Sequence, residues 1–553
     1  MVVPNGSLGR IPVPAEMKIE LTEAEKQVCD LLDSCTKSLR EKGINTSCRI
    51  AGGWVRDKLL GSASNDIDIA LTNMMGLDFA EHLAEYAHSQ GVKTGTISKI
   101  AQNPDQSKHL ETATFRLLGL DIDLVNLRSE EYADNSRIPS GVAFGTPLQD
   151  ALRRDITINA LFYNVHTREV EDHTGKGLDD LREGVIRTPL PPRETFLDDP
   201  LRVLRCIRFA SRFGFSIVPE IEDAVKDQTI QLALISKVAR ERTGEELSKM
   251  MKGRDPMNAL RLIHVLSLYG SIFSVIPSEV SDTFSSTATG NHTAFAAASI
   301  LDTLFHTTNP SQIPQLHSSY FTCVNSDPSC KARMYLAAML TPYKAVTYLD
   351  RKKKPLLAVE YIIRETLKLG TQNHFLDGIP ALFSAAKLLA NPILTAERLS
   401  HPSHRVALGL LLREKAIHNP NTGSHWATSL LFALVQELVE VYDFASDTLD
   451  VGAATEIINT YNTFTEKIEE LGLPDTLDAK PLLNGKEVVQ ALGASKSGAW
   501  LGKVMSRILV WHLDNPKGTK EDCVSWLKDE KEQGRIQIDD EGAEPANKRA
   551  RTK

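Results

Sequence analysis

The sequence predicts an α+β protein, with one small mixed β-sheet in its first third and helices in the remainder. Before about residue 165, the segments "CRIAGG", "DIDIAL" and "LGLDIDLVNLR" are typical of short strands, and "LDFAEHLAEYAHS" between them is typical of an amphipathic helix. After about residue 175, apolar residues recur at helical spacing as far as "KEDCVSWLKDEK". The length of 553 residues, 42% of them hydrophobic and 24% charged, predicts several globular domains.

Net charge, cysteine spacing and the length of apolar runs limit the classes of protein to which the chain can belong. The formal net charge is −8, so a nucleic-acid partner would have to be bound by a local basic surface rather than by a basic chain. The seven cysteines are scattered and form no CxxC pair, which predicts reduced thiols and neither a zinc site nor a disulfide framework. No apolar run approaches the roughly 18 residues that a membrane span needs.

Residues 52–70, "GGWVRDKLLGSASNDIDIA", combine a glycine turn with two closely spaced aspartates. Gly52 and Gly53 lie between a predicted strand and a predicted helix, where we expect backbone N–H groups to face the phosphates of a ligand. Asp66 and Asp68 lie two residues apart on a predicted strand, hence on the same face, where their carboxylates can share a pair of Mg²⁺ ions. The alternative for these aspartates is the capped end of an ordinary strand.

A second polar cluster lies in "RRDITINALFYN", residues 153–164. Arg153, Arg154 and Asp155 precede Asn159 by about one helical turn, and arginine provides planar donors that suit a triphosphate. Because "DALRRD" by itself is also typical of an ordinary helix surface, the alternative is a set of exposed salt bridges.

A third pattern places acids and arginines at the start of a predicted helix, "DDPLRVLRCIRFASRFGF". We expect Asp198, Asp199, Arg202 and Arg205 to begin this helix, because Pro200 is tolerated in a first turn. The spacing of Asp199 and Arg202 would then bring a carboxylate and a guanidinium side by side, with a surface ion pair as the alternative. Further on, "RERTGEEL" contains Arg242 and Glu246, four residues apart, for which an ordinary solvated pair is the simpler interpretation.

Taken in order, these stretches resemble the motifs of a known superfamily. With "EDHTGKGLDDL" and "ARERTGEELSKM", they are similar to the nucleotidyltransferases that comprise the tRNA CCA-adding enzymes and the bacterial poly(A) polymerases, in their class II branch. The stretches "KIAQNPDQSKHLETATF" and "TFLDDPLRVLR" look like the eukaryotic, fungal-type CCA-adding enzymes. Where the family commonly has EDxxR this chain has DDxxR, and the difference falls at Asp198.

The resemblance implies an activity with its substrates. It implies template-independent transfer of C, C and A from CTP and ATP to the 3′ end of tRNA, with release of pyrophosphate and with two Mg²⁺ ions as cofactors. A partial CC-adding or A-adding enzyme, a poly(A) polymerase and a non-catalytic RNA-binding relative are the alternatives. The partners implied are tRNA, CTP and ATP, without a membrane, and a monomer is favoured.

The resemblance also implies roles for particular residues. Asp66 and Asp68 would bind metal, and Asp123, on the same strand face as Asp121, would complete the site, with a solvated strand end as its alternative. The nucleotide-binding set would be Gly52, Gly53, Arg56, Arg153, Arg154, Asp155, Asn159, Asp199, Arg202, Arg205 and Arg208. Within it, Arg154, Asp155 and Asn159 would bind phosphates and ribose, while Asp199 and Arg202 would read the base. The helix of Arg242 and Glu246 would support the helix that carries this pair.

The predicted organisation begins with the N-terminal nucleotidyltransferase head and continues with helical domains. Its segments are a flexible N-terminus (1–24), the head (25–165), a helical neck (166–270), a helical body (271–415), a helical tail that binds tRNA (416–535) and a disordered end (536–553). A polar loop over 95–115 is expected between strands, and the family's loop there is required for the final A. The cytoplasm, the nucleus and the mitochondrion are the predicted compartments.

Overall fold

The computed structural model describes residues 8–64, 66–100, 112–132, 139–306, 313–393 and 403–538. The chain divides into two compact units, one made of Val3–His306 and Pro328–Ile379, the other of Met1–Val2, Thr307–Asp327 and Pro380–Lys553. This division is coarser than the head, neck, body and tail expected from the sequence, whose boundaries stay predictions.

The described strands and helices follow one another in the order that the sequence patterns predict. The strands are β1 Cys48–Ala51, β2 Asp66–Leu71, β3 Ser98–Ile100, β4 Thr112–Leu117, β5 Leu120–Asn126, β6 Arg128–Tyr132, β7 Pro139–Phe144, β8 Phe162–Asn164, β9 Glu169–Glu171, β10 Val185–Ile186, β11 Ser216–Ile217, β12 Thr347–Leu349, β13 Pro355–Leu357, β14 Tyr442–Asp443 and β15 Thr448–Leu449. The helices are α1 Glu23–Glu41, α2 Gly53–Leu59, α3 Gly76–Ser89, α4 Pro147–Leu152, α5 Gly177–Glu183, α6 Pro192–Asp198, α7 Leu201–Phe213, α8 Pro219–Lys226, α9 Gln228–Lys237, α10 Arg240–Met251, α11 Pro256–Val265, α12 Tyr269–Phe273, α13 Ser278–Ser281, α14 His292–His306, α15 Thr322–Ser326, α16 Pro328–Met339, α17 Ala358–Tyr361, α18 Phe375–Leu388, α19 His404–Leu412, α20 Trp426–Leu438, α21 Val451–Glu470, α22 Gly485–Ala491, α23 Trp500–Asp514 and α24 Lys520–Glu532.

The predicted mixed sheet is confirmed. Seven strands are ordered β3-β4-β5-β2-β1-β8-β9, and β2 runs parallel to β5 while its other neighbour, β1, is antiparallel. Small side chains of this part of the chain, among them Ala51, Ala70 and Ala151, are buried in one cluster with Phe162. Their small volume lets α4 and the segment after it approach the sheet closely.

The remainder of the described chain is helical, as predicted, but three pairs of very short strands interrupt it. β10 pairs with β11, β12 with β13 and β14 with β15. In the second unit, α22, α23 and α24 enclose a core built around Trp500 and Leu527. No helix among the described residues has the length and apolar character that crossing a bilayer requires.

The N-terminal segment differs from the flexible stretch predicted over 1–24. The Leu8 amide donates to Asp255 at 3.0 Å, and the Ile11 amide donates to the Phe213 carbonyl at 2.9 Å. The Arg10 guanidinium donates to the Glu183 carbonyl at 2.6 Å. These contacts fix residues 8–11, which we call the N-terminal strap, to the first unit. The sequence does not reveal these contacts, because two backbone amides and the Arg10 guanidinium make them and they leave no apolar periodicity. For the rest of 1–24 the flexible N-terminus stays a prediction.

Part of the loop predicted over 95–115 is strand. Ser98–Ile100 pairs antiparallel with β4, so the loop is bounded by strands as expected, and its centre, residues 101–111, lies outside the described residues. Of the disordered end predicted over 536–553, residues 539–553 also lie outside them, whereas Ile536 is buried in the core with Trp500 and Leu527, so the predicted start at residue 536 is wrong. All seven cysteines are described as thiols, and all except Cys323 are buried.

Candidate active site

The parallel pairing of β2 and β5 brings the predicted aspartates together. Asp66 lies opposite Asp121 and Asp68 lies opposite Asp123 in the register. One carboxylate oxygen each from Asp66, Asp68 and Asp123 lies within 4.8 Å of the others, which makes these three a candidate metal site. Asp121 is exposed and forms a 3.3 Å ion pair with Arg116 instead. The predicted shared face is therefore confirmed, and the geometry supports Asp123 as the third carboxylate.

The electrostatics of this cluster favour a cation. Burial, followed by repulsion from Asp66 and Asp123, raises the pKa of Asp68 to about 6, although the charge of Arg154 acts in the opposite direction. Burial and the charges of Asp123 and Asp121 also raise the pKa of Asp66. Three crowded carboxylate oxygens are the donor set that hard divalent cations prefer, and a bound cation would relieve the repulsion. The cluster fits a divalent metal on these grounds.

The glycine turn joins β1 to α2, as predicted, but Gly52 acts differently from our expectation. Its φ of 75° is favourable only for glycine, and a Cβ at this position would lie 2.7 Å from Arg154 Nη1. Its N–H donates to the Leu161 carbonyl at 3.0 Å, so the prediction that this N–H faces a phosphate is wrong. Gly52 instead makes room for the Arg154 guanidinium, and the phosphate role of Gly53 stays a prediction.

A buried carboxylate that we did not predict, Asp150, holds both arginines of the second cluster. Arg153 Nε donates to Asp150 Oδ1 at 2.8 Å, and Arg154 Nε and Nη2 donate to Oδ2 at 3.1 and 2.9 Å. Asp150 is only 1% exposed, so the alternative of exposed salt bridges is wrong. An acid three and four residues before two arginines is the signal in the sequence, but the same spacing is common on exposed helices.

Asp155 and Asn159 form a buried network that leaves little of Asp155 for a ligand. Asp155 Oδ1 accepts from Asn159 Nδ2 at 3.0 Å, and Oδ2 accepts from Arg205 Nε at 2.7 Å. Burial raises the pKa of Asp155, but the charge of Arg205 and these hydrogen bonds outweigh it and lower the pKa to about 2. Asn159 Oδ1 accepts from Arg56, whose guanidinium is buried over Phe209. Arg56, predicted to bind nucleotide, therefore contacts a predicted ribose-binding residue in this structure.

The predicted base-reading pair is arranged differently from our expectation. Asp198 ends α6, Asp199 is extended with φ −135° and ψ 98°, and α7 begins only at Leu201. The prediction that Asp198 and Asp199 begin the helix is therefore wrong. The Arg202 guanidinium donates to the carbonyls of Thr195 and Arg153, at 3.4 and 2.6 Å.

Within the described residues, no hydrogen bond or ion pair joins the side chains of Asp199 and Arg202, so the alternative of a surface ion pair is wrong, and their role in reading the base stays a prediction. The physical reason is that Asp199 lies outside the helix, where the i, i+3 geometry does not apply.

Helix α10 supports the arginines of α7. Arg242 Nη2 lies 3.5 Å from Asp199 Oδ2. Glu246, which is buried, accepts from Arg208 Nε at 2.5 Å and lies 3.9 Å from Arg205 Nη1. The interpretation of Arg242 and Glu246 as an ordinary solvated pair is therefore wrong. The contacts agree with the supporting role that the resemblance implies for this helix.

Two comparisons with protein families locate the site within known domains. Residues 48–187 match the family described as "Poly A polymerase head domain", which covers the carboxylate cluster and the two arginines. Residues 214–278 match the family described as "Probable RNA and SrmB- binding site of polymerase A".

Similar solved structures have the same fold. The structure described as the complex of a CCA-adding enzyme with CTP has a TM-score of 0.57 and 21% identity, and the likeness covers 92% of this chain and 96% of that one. The Thermotoga maritima CCA-adding enzyme complexed with tRNA has a TM-score of 0.54 and 20% identity, over 91% of this chain and 95% of that one.

Curated relatives are more similar in sequence and nearly as long as this chain. The mitochondrial CCA tRNA nucleotidyltransferase of Saccharomyces cerevisiae is 36% identical over 540 residues, which cover 92% of this chain and 94% of the yeast protein. The tRNA nucleotidyltransferase cca1 of Schizosaccharomyces pombe is 36% identical over 517 residues, which cover 92% of this chain and 96% of the Schizosaccharomyces pombe protein. Identity at this level over nearly the whole of both proteins shows that the chain belongs to the CCA tRNA nucleotidyltransferase family.

Proposed function

We propose that this chain completes the 3′ end of tRNA by adding C, C and A from CTP and ATP, with release of pyrophosphate. Membership of the family supports the reaction class. The observation that carries the proposal is the convergence of Asp66, Asp68 and Asp123 within 4.8 Å, on strands next to the turn that accommodates Arg154. A binding protein without catalysis would have no use for three crowded carboxylates.

The carboxylate cluster would hold the metal. We propose that Asp66 and Asp68 bind two Mg²⁺ ions, with Asp123 as the third ligand side chain. When bound, such ions lower the pKa of an attacking hydroxyl and neutralise a leaving pyrophosphate. The protein's own contribution is to hold the 3′ hydroxyl in line with the α-phosphorus and to bind the triphosphate through Arg153 and Arg154.

The choice of base is proposed to depend on Asp199 and Arg202. Cytosine and adenine both present an amino donor beside a ring-nitrogen acceptor, whereas uracil and guanine present a carbonyl beside an N–H. A carboxylate and a guanidinium complement the first pattern and leave the second with unpaired groups. In the structure these two side chains are held separately, Asp199 by Arg242 and Arg202 by two carbonyls, so neither is neutralised by a direct bond to the other.

For the partner and the compartment, the names of relatives support the proposal. One similar structure is described as complexed with tRNA, and two yeast relatives are named mitochondrial. We infer that the partner is tRNA, recognised through phosphates and shape because every tRNA must be accepted. The mitochondrion is the compartment best supported by these names, while the cytoplasm, the nucleus and a monomeric state stay predictions.

One assay tests the proposal against its alternatives. Purified protein is incubated with Mg²⁺, each labelled nucleotide in turn, and tRNA transcripts ending at the discriminator base, at C and at CC. Products that stop after C, C and A support the proposal. Products that stop at CC, or additions of A alone, indicate a partial enzyme, and long A tails indicate a poly(A) polymerase.

The metal site is tested in the same assay by three variants. Asp66→Ala and Asp68→Ala should each abolish incorporation of both CTP and ATP, because they remove a metal ligand. Asp121→Ala is the matched control, since Asp121 lies on the same strand face but pairs with Arg116 outside the cluster. Normal turnover in either of the first two variants would contradict the assignment.

A further inference from the structure

We propose that Asp150 is a positioning residue, which holds the guanidiniums of Arg153 and Arg154 in the orientation that binds the triphosphate of the incoming nucleotide. The inference rests on the proposed function, because it assigns those two arginines to the triphosphate. In this proposal Asp150 itself does not contact the nucleotide.

The hydrogen bonds of Asp150 account for its whole carboxylate. Oδ1 accepts from Arg153 Nε and Nη2, and Oδ2 accepts from Arg154 Nε and Nη2. The Arg128 amide also donates to Oδ1, at 3.3 Å. Both oxygens are thus occupied by the protein and the side chain is buried, so its role is exerted through the arginines.

The contacts of Arg154 fix its guanidinium and leave part of its N–H groups available. Nε and Nη2 face Asp150, while Nη1 donates to the Asn159 carbonyl at 3.1 Å and lies over Gly52. The guanidinium stacks on Phe162, 5.0 Å from its centroid. Of its five N–H groups these hydrogen bonds use three, so two remain for a ligand. Gly52 follows β1, and β1 pairs with β2, the strand that carries Asp66 and Asp68, so Nη1 lies at the part of the sheet next to these two carboxylates.

Asp150 is set in place by the local structure of α4. Thr146 and Gln149 form a capping box and Pro147 begins the helix, so the helix starts at a fixed residue. Asp150 then precedes Arg153 and Arg154 by three and four residues, and both reach the same carboxylate. One negative charge between two positive charges keeps the arginines together without cancelling the net positive charge that a triphosphate needs.

The same anchor extends to the base-reading side. Arg202 Nη2 donates to the Arg153 carbonyl at 2.6 Å, so the segment that Asp150 orders also provides an acceptor for Arg202. A change at Asp150 would therefore act first on the triphosphate contact, which is common to CTP and ATP, and only indirectly on the base.

The test compares Asp150→Asn and Asp150→Glu with the full-length chain in steady-state kinetics. In Asp150→Asn we expect the KM for CTP and for ATP to rise together, by about tenfold or more, because the negative charge is lost and the amide nitrogen that replaces one oxygen cannot accept from its arginine. The KM for tRNA should not change. Asp150→Glu keeps the charge and should recover part of the nucleotide affinity.

A binding measurement makes the test independent of turnover. Calorimetric titration of each protein with magnesium pyrophosphate should show an affinity loss in Asp150→Asn parallel to the rise in KM. Failure of the wild type to add nucleotides would refute the proposed function. The positioning role would still be supported if pyrophosphate binding weakened in Asp150→Asn and recovered in Asp150→Glu.

Asp180→Asn is the matched control for the cost of removing a buried acid. Asp180 is buried and accepts from Arg187 Nε at 3.1 Å, so its loss also breaks a buried pair with arginine. We expect this variant to be less stable, with unchanged nucleotide KM and pyrophosphate affinity. If Asp150→Asn likewise loses only stability or kcat, with KM and pyrophosphate affinity unchanged, the positioning role is wrong.

Discussion

At the scale of single residues, the environment divides the aspartates of the site into two groups. Asp68 is crowded by other carboxylates, and its pKa is raised to about 6. Asp150 and Asp155 are more deeply buried, yet arginines lower the pKa of each to about 2. The first group carries a charge that the protein itself does not balance, which suits a metal ligand. The second group is balanced by the protein, which suits positioning.

The raised pKa of Asp68 predicts a stability gain when its charge is removed. The folded-state pKa of Asp68 lies above its unfolded value. The contribution of this side chain to the free energy of unfolding is therefore fully present below the unfolded pKa and is lost as the pH rises through about 6. In the presence of a chelator, Asp68→Asn should therefore increase the free energy of unfolding at pH 7.5 by roughly 1–3 kcal/mol. The gain should vanish near pH 4, as measured by denaturant unfolding at both pH values.

Addition of Mg²⁺ provides the control for this prediction. The metal should stabilise the wild type and leave Asp68→Asn nearly unchanged, since a ligand stabilises only the state that binds it. A variant less stable than the wild type at pH 7.5 with chelator would show that the carboxylate repulsion is not the dominant effect.

The base-reading role predicts a narrowed specificity in Arg202→Ala. Loss of a guanidinium hydrogen bond should lower kcat/KM for CTP and ATP by on the order of ten- to a hundredfold. The kcat/KM for UTP and for GTP should stay the same or rise, because the metal site and the triphosphate contacts remain. Single-nucleotide incorporation with all four substrates measures the ratio of kcat/KM for CTP and ATP to kcat/KM for UTP and GTP.

Arg193→Ala is the matched control for that experiment. Arg193 lies on the preceding helix, its side chain is 61% exposed, and it pairs with Asp227, so its removal should leave all four values unchanged. A common reduction for all four nucleotides in Arg202→Ala would instead indicate a phosphate-binding or structural arginine.

Much of the candidate site could be predicted from the sequence, because strand periodicity and the two-residue spacing of Asp66 and Asp68 determine which face their side chains share. Asp150 could not be assigned, since its spacing to the two arginines is equally typical of an exposed helix. The contact between Arg242 and Asp199 joins residues more than forty positions apart. Local spacing carries no information about such a pair, because tertiary packing alone brings it together.

At the scale of secondary structure, Pro200 explains why the predicted helix begins at Leu201 and not at Asp198. A proline disfavours helical φ and ψ in the residue before it, and Asp199 is accordingly extended between α6 and α7. Pro200 is compatible with a first helical turn, but its restriction on the preceding residue keeps Asp199 out of the same helix. The break gives Asp199 an orientation that a continuous helix would not.

The packing of α10 predicts a large effect of Gly244→Ala. A Cβ at Gly244 would lie 1.9 Å from the Leu367 carbonyl oxygen, so α10 would have to shift. We expect a loss of about 1–3 kcal/mol in the free energy of unfolding. Nucleotide incorporation should fall as well, because α10 carries Glu246, which holds Arg208. Denaturant unfolding and the incorporation assay measure the two effects.

Gly270→Ala is the matched control for this packing effect. Gly270 lies in α12, and a Cβ there would meet no atom within 4 Å. The substitution should be neutral or stabilising by up to about 1 kcal/mol, because alanine favours a helix. Equal destabilisation by both changes would contradict the packing argument for α10.

At the scale of the whole molecule, the fold class followed from the sequence, whereas the course of the N-terminal segment did not. Helical and strand periodicities extend over many residues and average out local exceptions. The N-terminal strap has no such period, and its contacts are made with residues more than 170 positions away, such as Glu183 and Asp255.

The N-terminal strap predicts that a chain beginning at Met17 is less stable than the full chain. That chain would lack the Leu8 contact with Asp255, the Ile11 contact with Phe213 and the Arg10 contact with Glu183. We expect a loss of about 1–3 kcal/mol in the free energy of unfolding, since each hydrogen bond contributes about 1 kcal/mol and some are exposed. Removal of 546–553, which has no bulky apolar side chain, is the control and should change neither stability nor turnover. Equal stability of the Met17 chain and the full chain in denaturant unfolding would show that the strap contacts contribute nothing to the folded state.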